Sequence, residues 1–475
     1  MVLNLNLKKK ILHKKKMDFV NSALSPLDGR YKGKTFDLRP FLSGDAYTIY
    51  RYRAEVQYLA QLLKKTQDLT DEKINEIKTK LLEGVSMARV LEMVSKYERE
   101  TRHDVKAIEY TLKEILENKG FGEFKELVHF ALTSQDANSA GQTMGLRDAM
   151  NEVMIPAMKQ MINDLHTQAK RHRSTAMVAY THGQVAVPTT LGYQLLRFVY
   201  RMKRELKHIV TATENLTCKF GGAVGHMNAH RVAYPSRDWP AELTTFVEEG
   251  LGLKRSVLAT QVDDYDSYAV LFDALARFSV ICLNFATDMW LYIHNSYLKL
   301  KVVSTETGSS TMPQKVNPIH FENAEGNLRL AVSLLKCLGE NLPQSRLQRD
   351  LSDSTMCRSI GTPLGYLLIA VTSLTEGIGR VDANESKIAE DLESNYQMVA
   401  EGYQTVLRRI GYDKPYEKLK EFSRGKGEMG KGEYLAFVDT LDIEEKYKEE
   451  LRSITPQTYI GYAADVDYDL SVLDN

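Results

Sequence analysis

From Tyr268 to His294 the only formally charged residues are Asp273, Arg277 and Asp288. A helix of that composition is apolar on almost every side, so it is stable only where other elements surround it. The chain must therefore build a many-helix core, inside a bundle or across an oligomer interface. A membrane span is the competing solution, but three charges leave no uninterrupted apolar run near the ~20 residues that a bilayer demands. The sequence reading sets that solution aside.

Other segments repeat the helical spacing. Leu191, Leu195, Phe198, Met202, Leu206 and Ile209 form one apolar stripe, and Pro188, Thr189 and Thr190 stand before it as a start signal. Helices are also expected at Met154 to Arg171, Ala324 to Leu338 and Pro363 to Ile378. No series of alternating strands with hairpin turns is found, so the fold class is all-α with a long-helix bundle at its centre. At 475 residues the chain is too long for one ordinary core. Loops near Gly120 to Gly122 and around Asp382 to Ser386 give the simplest partition: a basic, disordered tail over 1–16, an N-terminal helical domain over 17–123, a central bundle and oligomer core over 124–378, and a C-terminal helical domain over 379–475.

Charge narrows the partners. Lys plus Arg and Asp plus Glu are equal at 62 each, so there is no overall field to attract nucleic acid or an acidic membrane, and any anion must be held by local cations. The lysines at 8–10 and 14–16 are read as a solvated tail rather than a targeting signal, because no apolar run of signal-peptide length follows. Cys218, Cys282, Cys337 and Cys357 show neither CxxC nor a zinc-like spacing and are read as free thiols in a reducing compartment, with the cytoplasm as the expected location.

Two loops carry possible chemistry. Gly425, Gly430 and Lys431 imitate a phosphate-binding P-loop, but Gly432 supplies no hydroxyl for magnesium and Tyr416 to Arg424 reads as helix where a strand is required. A basic surface loop is the better reading there. From Ser304 to Pro318, polar residues, Gly308, two prolines and an isolated Lys315 interrupt the helical pattern for longer than a connection needs. Its hydroxyls, its cation and the amide of Asn317 can hold a carboxylate and stabilise the charge left when a neighbouring proton departs; by composition alone, a surface loop explains the segment equally well.

The string GSSTMPQKVNP, Gly308 to Pro318, resembles the signature of the superfamily of fumarase, aspartase and argininosuccinate lyase, and every fixed position is met. Within that superfamily, SPLDGRY at Ser25 to Tyr31, HDVKAIEY at His103 to Tyr110, LTSQD at Leu132 to Asp136, THGQ at Thr181 to Gln184 and QRDLSDST at Gln348 to Thr355 look like the adenylosuccinate lyase family, in its bacterial-type branch. The resemblance implies a three-domain, all-helical subunit in a homotetramer whose active sites are each shared by three chains. It also implies β-elimination of fumarate from adenylosuccinate, giving AMP, and from the succinyl-carboxamide intermediate SAICAR, giving AICAR. No metal or organic cofactor is implied.

Carried onto this sequence, the resemblance makes Ser309 the base, which nearby donors or a cation must ionise, and His182 the acid that protonates the leaving amine. Lys315 and Asn317 stabilise the carbanionic intermediate, and Glu322 pairs with the acid. Without the resemblance, Glu322 reads as a charge favoured by a helix N-terminus. Arg30 and Tyr31, and Arg349 with Ser354 and Arg358, match nucleotide-phosphate contacts, and the intervening Thr355, Met356 and Cys357 are substrate contacts. Thr133, Ser134 and Gln261 match the succinyl side, while Arg102, His103, Asp104, Ser310, Val316 and Asn323 are further substrate contacts. Arg102, His226 and Gln314 depart from residues common in relatives. Two rivals stand: another fumarate-releasing lyase such as argininosuccinate lyase, and a non-catalytic, crystallin-like scaffold.

Overall fold

The structure, a computed structural model, describes residues 23–302, 312, 315–424 and 429–473. It is all-α, and among the described residues strands are confined to three two-stranded pairs. The helices expected from periodicity are present as Ile155–Arg171, Leu191–Glu214, Asp266–His294, Ile319–Asn341 and Gly361–Gly379. Thr190 starts the second of these, its Oγ1 accepting the Tyr193 N–H at 3.1 Å. Pro156 lacks an N–H, and the turn ahead of it, Met150–Met154, widens to a π-helix.

The chain divides into two compact units. The first comprises Met1–Ala157, His208–Ser279 and Asn327–Ile369. One of its cores joins Val56, Leu59, Leu63, Leu81, Val90, Ile108 and Leu112 from successive front helices. A second core gathers Tyr58, Leu62, Phe220, Trp239 and Phe246. These helices begin where the sequence supplies caps: Ser43 accepts from the Ala46 N–H, Thr70 from Lys73 and Ser86 from Arg89.

The second unit comprises Met158–Lys207, Val280–Gly326 and Ala370–Asn475. Phe285 meets Phe198 edge-on at 5.4 Å and Phe321 at 6.3 Å. The C-terminal helices close over Tyr396, Tyr403, Leu407, Tyr434 and Phe437. Where the sequence showed no hairpin, this unit has one: Ala176–Thr181 pairs antiparallel with Gln184–Thr190. Its strands alternate too weakly to signal themselves, and Val178 to Tyr180 carries a register shift. The loop expected at Asp382 to Ser386 is mostly ordered, as the strand Val381–Ala383 followed by the helix Glu385–Ser394.

The helix Asp266–His294 is by length and composition apolar enough to cross a membrane, so charge count alone was an insufficient argument against that solution. Burial is the stronger one. Leu271, Phe272, Leu275, Phe278, Cys282, Phe285 and Met289 are buried within the protein, as a helix at the centre of a bundle requires. All four cysteines are unpaired, and Cys218, Cys282 and Cys357 are buried.

Candidate active site

In the first unit, the helices Gly44–Thr66 and Ser134–Ala149 touch where Gly141 has no side chain. A Cβ there would lie 2.8 Å from Arg51 Cγ and 2.9 Å from the Arg51 backbone nitrogen. This approach sets the buried Arg51 guanidinium 4.2 Å over the Tyr47 ring. Its Nη1 donates to Asp104 Oδ2 at 2.6 Å and to Asn138 Oδ1 at 3.2 Å. Burial works against charge on Asp104, yet the Arg51 cation outweighs it and holds the carboxyl below the usual range.

These groups form one wall of a cavity of about 570 Å³, whose lining also includes Glu98, His103, Ser134, Arg349, Ser354, Cys357 and Arg358. Arg349 Nη1 donates to Gln261 Oε1 at 3.1 Å, and the Gln261 N–H donates to the Gln348 carbonyl at 3.2 Å. The short helix Ser352–Cys357 is anchored by buried Asp353, which accepts from Gln135 Nε2 and Tyr265 OH, each at 3.1 Å. Gln142 Nε2 donates to the Cys357 carbonyl at 3.0 Å. The run from Ser354 to Arg358 is thus held at both ends. The arrangement offers two arginines, a histidine and serine hydroxyls to an anion, with carboxylates fixed elsewhere on the wall.

Behind this cavity lies a second buried junction. Thr133 and Asp136 form a capping box at the start of Ser134–Ala149, with Asp136 Oδ2 accepting the Thr133 N–H at 2.7 Å. Asp136 Oδ1 also accepts from Lys219 Nζ at 2.8 Å and from the Gly221 N–H at 2.8 Å. Both side chains of this ion pair are fully buried. One carboxylate therefore ties Thr133 and Ser134 to the glycine-rich turn beyond Lys219. At Gly225, φ is +88° and a Cβ would stand 2.1 Å from the Ala259 carbonyl oxygen, so only glycine fits. The neighbouring His230 is buried, and its Nε2 lies 3.1 Å from Tyr58 OH; burial pushes its pKa down to about 4.

The second unit holds the remaining candidates. His182 and Gly183 are the two residues of the hairpin turn, with φ of +54° and +71°. Positive φ at both positions matches the twist of the flanking strands and sets the exposed His182 at the hairpin tip. Glu322 lies in the first turn of the helix Ile319–Asn341, its N–H donating to the Pro318 carbonyl at 3.3 Å. Glu322 Oε1 accepts from Trp290 Nε1 at 3.2 Å. Asn323 Oδ1 accepts from Ser373 Oγ at 2.9 Å. The Lys315 N–H donates to the Met312 carbonyl at 3.0 Å, and Val316 is exposed. Ser309 and Ser310 lie outside the described residues.

The cavity thus brings together His103, Asp104, Ser134, Arg349, Ser354, Cys357 and Arg358 from three separate stretches of sequence. Arg30, Tyr31, Arg102, Thr133, Gln261, Thr355 and Met356 belong to the same unit but lie off the cavity lining. Arg102 ends the helix Met87–Thr101 in a left-handed conformation, its N–H donating to the Glu98 carbonyl at 2.8 Å. Sequence reasoning missed Arg51, Asp353 and the Lys219–Asp136 pair. Nothing in the spacing marks Arg51 or Lys219. A lysine or aspartate among apolar residues, as at Lys219, is the sole available signal, because such groups are buried only when paired.

Against known proteins, residues 43–332 match the family described as Lyase, and residues 345–460 match the one described as Adenylosuccinate lyase C-terminal. The chain is 41% identical to adenylosuccinate lyase of Haemophilus influenzae, over 95% of this chain and 99% of that one. It is 39% identical to that of Dictyostelium discoideum, over 94% and 97%, and 39% identical to that of Escherichia coli K12, over 93% and 97%. Among solved structures, 3-carboxy-cis,cis-muconate lactonizing enzyme from Pseudomonas putida shares the fold, with a TM-score of 0.71 over 92% of this chain and 96% of that chain at 18% identity.

Proposed function

Because the chain belongs to the adenylosuccinate lyase family, we propose that it eliminates fumarate from adenylosuccinate to leave AMP, and from SAICAR to leave AICAR. It is a carbon–nitrogen lyase. The observation that carries the substrate reading is the 570 Å³ cavity, in which Arg349, Ser354 and Arg358 face the same space as His103 and Ser134. A substrate with one phosphate and two carboxylates needs such local cations in a chain of zero net charge. Arg30 and Tyr31 extend the phosphate contacts, while Thr133, Gln261, Asn323, Val316 and Ser310 complete the substrate's surroundings.

The chemistry follows from what elimination demands. Ser309 takes the proton beside a carboxylate, and the charge that spreads onto that carboxylate is met by Lys315 and Asn317. Each such donor contributes about 3 to 4 kcal/mol to the barrier reduction. His182 then protonates the departing nitrogen. Glu322 orients the acid, and the Trp290 N–H on its Oε1 leaves the other oxygen for that partner. No cofactor takes part.

The active enzyme is a cytoplasmic homotetramer of three-domain subunits, each site drawing on three chains. The exposure pattern of the helix Asp266–His294 supports this. Among its exposed or half-exposed positions, Asp266, Val270, Asp273, Arg277, Val280, Asn284, Thr287, Leu291 and His294 recur in steps of four and three, flanked by Ser267, Ala269, Leu283, Asp288, Trp290, Tyr292 and Ile293. That is the 3.5-residue period of a helix seam made to meet other helices.

The test is the ultraviolet absorbance change on mixing purified protein with adenylosuccinate, and separately with argininosuccinate. Cleavage of adenylosuccinate alone is expected; exclusive cleavage of argininosuccinate would overturn the reading.

A further inference from the structure

We infer that His103 works as a neutral imidazole protonated on Nε2, donating a hydrogen bond into the cavity, and not as a second acid. The inference rests on the reading that this cavity holds the substrate. His103 is the N-cap of the helix Asp104–Asn118, and its Nδ1 accepts the Lys106 backbone N–H at 3.2 Å. An N-cap must present a lone pair to an orphan N–H of the first turn. A protonated Nδ1 would set two donors against each other at that distance, so the ring proton belongs on Nε2.

A carboxylate beside an imidazole ordinarily draws a proton to the nearer ring nitrogen. Here that route is closed. Asp104 Oδ1 stands 3.8 Å from His103 Nδ1, too far to accept from it. Asp104 is instead held by other donors: Oδ2 accepts from Arg51 Nη1 at 2.6 Å and Oδ1 from the Val105 N–H at 2.9 Å. Arg51 is thereby a positioning residue, since it keeps Asp104 from competing for the imidazole. The backbone of the cap is fixed as well, as the His103 N–H donates to Thr101 Oγ1 at 3.2 Å. The charged groups around it are Arg102 and Asp104 in sequence, Glu98 from the helix Met87–Thr101, Arg51 from Gly44–Thr66, and Arg349 and Arg358 on the cavity lining.

In this state His103 gives a substrate oxygen a directed donor and supplies no acid of its own. Neutron crystallography of the deuterium-exchanged protein at neutral pH reads the tautomer directly. Deuterium on Nε2 alone is expected; deuterium on Nδ1, or on both nitrogens, would overturn the inference. Two variants separate the ring's two jobs. His103→Gln places an amide N–H near the Nε2 position, whereas His103→Asn keeps the cap and loses the reach. His103→Gln is expected to stay within about tenfold of the parent kcat/KM, and His103→Asn to fall about 100-fold. Equal, near-total loss in both would show an acid and sink the proposal. Fumarate release by the parent protein is measured separately, so a wrong substrate assignment shows there while the neutron result still decides the tautomer.

Discussion

At the scale of single residues, the stability of the first unit hangs on buried ionisable groups that no periodicity announces. The Lys219–Asp136 pair is fully buried, and removing one partner leaves the other charged, desolvated and unpaired. Lys219→Met is expected to destabilise the protein by about 3 to 5 kcal/mol, read as a fall in the urea midpoint, and to raise KM, because Asp136, which caps the helix that carries Ser134, loses its buried cation. The double variant with Asp136→Asn should recover part of that loss. His230 sets an acid limit of a different kind. Its folded pKa is depressed to about 4 by burial, against about 6.5 in the unfolded chain. Between those values the unfolded state binds more protons, so stability falls as pH drops from about 6.5 to about 4, by up to about 3 kcal/mol, and then levels. His230→Gln should flatten that limb in a series of denaturation curves across pH. His129 acts in the opposite sense: burial disfavours its charge, but Glu55 Oε1 at 2.5 Å outweighs this and raises its pKa. Its contribution is therefore complete below the ordinary histidine value and is lost as pH rises through the raised one.

At the scale of elements, the long helices could be read from spacing because their apolar faces repeat over many turns, as with Leu191 to Ile209. The hairpin that carries His182 could not. Its strands are short, its register shifts after Val178, and its turn residues are His182 and Gly183 rather than the Asn-Gly pair that signals such turns. Close packing between elements was also invisible, since a glycine in a helical pattern looks like a weak position until its neighbour is known. Gly141 is the clearest case. A methyl group there meets Arg51 Cγ at 2.8 Å and the Arg51 backbone nitrogen at 2.9 Å, and backbone cannot rotate away. Gly141→Ala should therefore push the helices Gly44–Thr66 and Ser134–Ala149 apart, costing about 1 to 3 kcal/mol. It should raise KM more than it lowers kcat, because Arg51 holds Asp104 on the cavity wall. Unchanged KM with lowered stability would mean that the cavity tolerates the shift.

At the scale of the whole molecule, the signature string fixed the reaction class by resemblance, while the cationic cavity is a product of folding that gathers His103, Ser134, Arg349 and Arg358 from distant stretches. The proposed assembly draws its support from the helix Asp266–His294, whose exposed large apolar side chains are Val270, Val280, Trp290 and Leu291, three of them along one seam. Val270, Val280 and Leu291 lie on that seam, spaced as a coiled-coil contact requires. Exposed valine and leucine at that period gain little from water and much from a facing helix, at about 25 cal/mol for each Å² of apolar surface covered. A charge placed in such a seam must lose its hydration without a partner, which costs several kcal/mol for each copy brought together. Val280→Lys is therefore expected to leave the helical content of the subunit unchanged, since Val280 already faces outward, yet to shift the mass in sedimentation from four subunits towards one or two. If each active site draws on three chains, fumarate release must fall with the same concentration dependence as the assembly. A dissociated variant that kept full turnover would show instead that one chain builds a complete site.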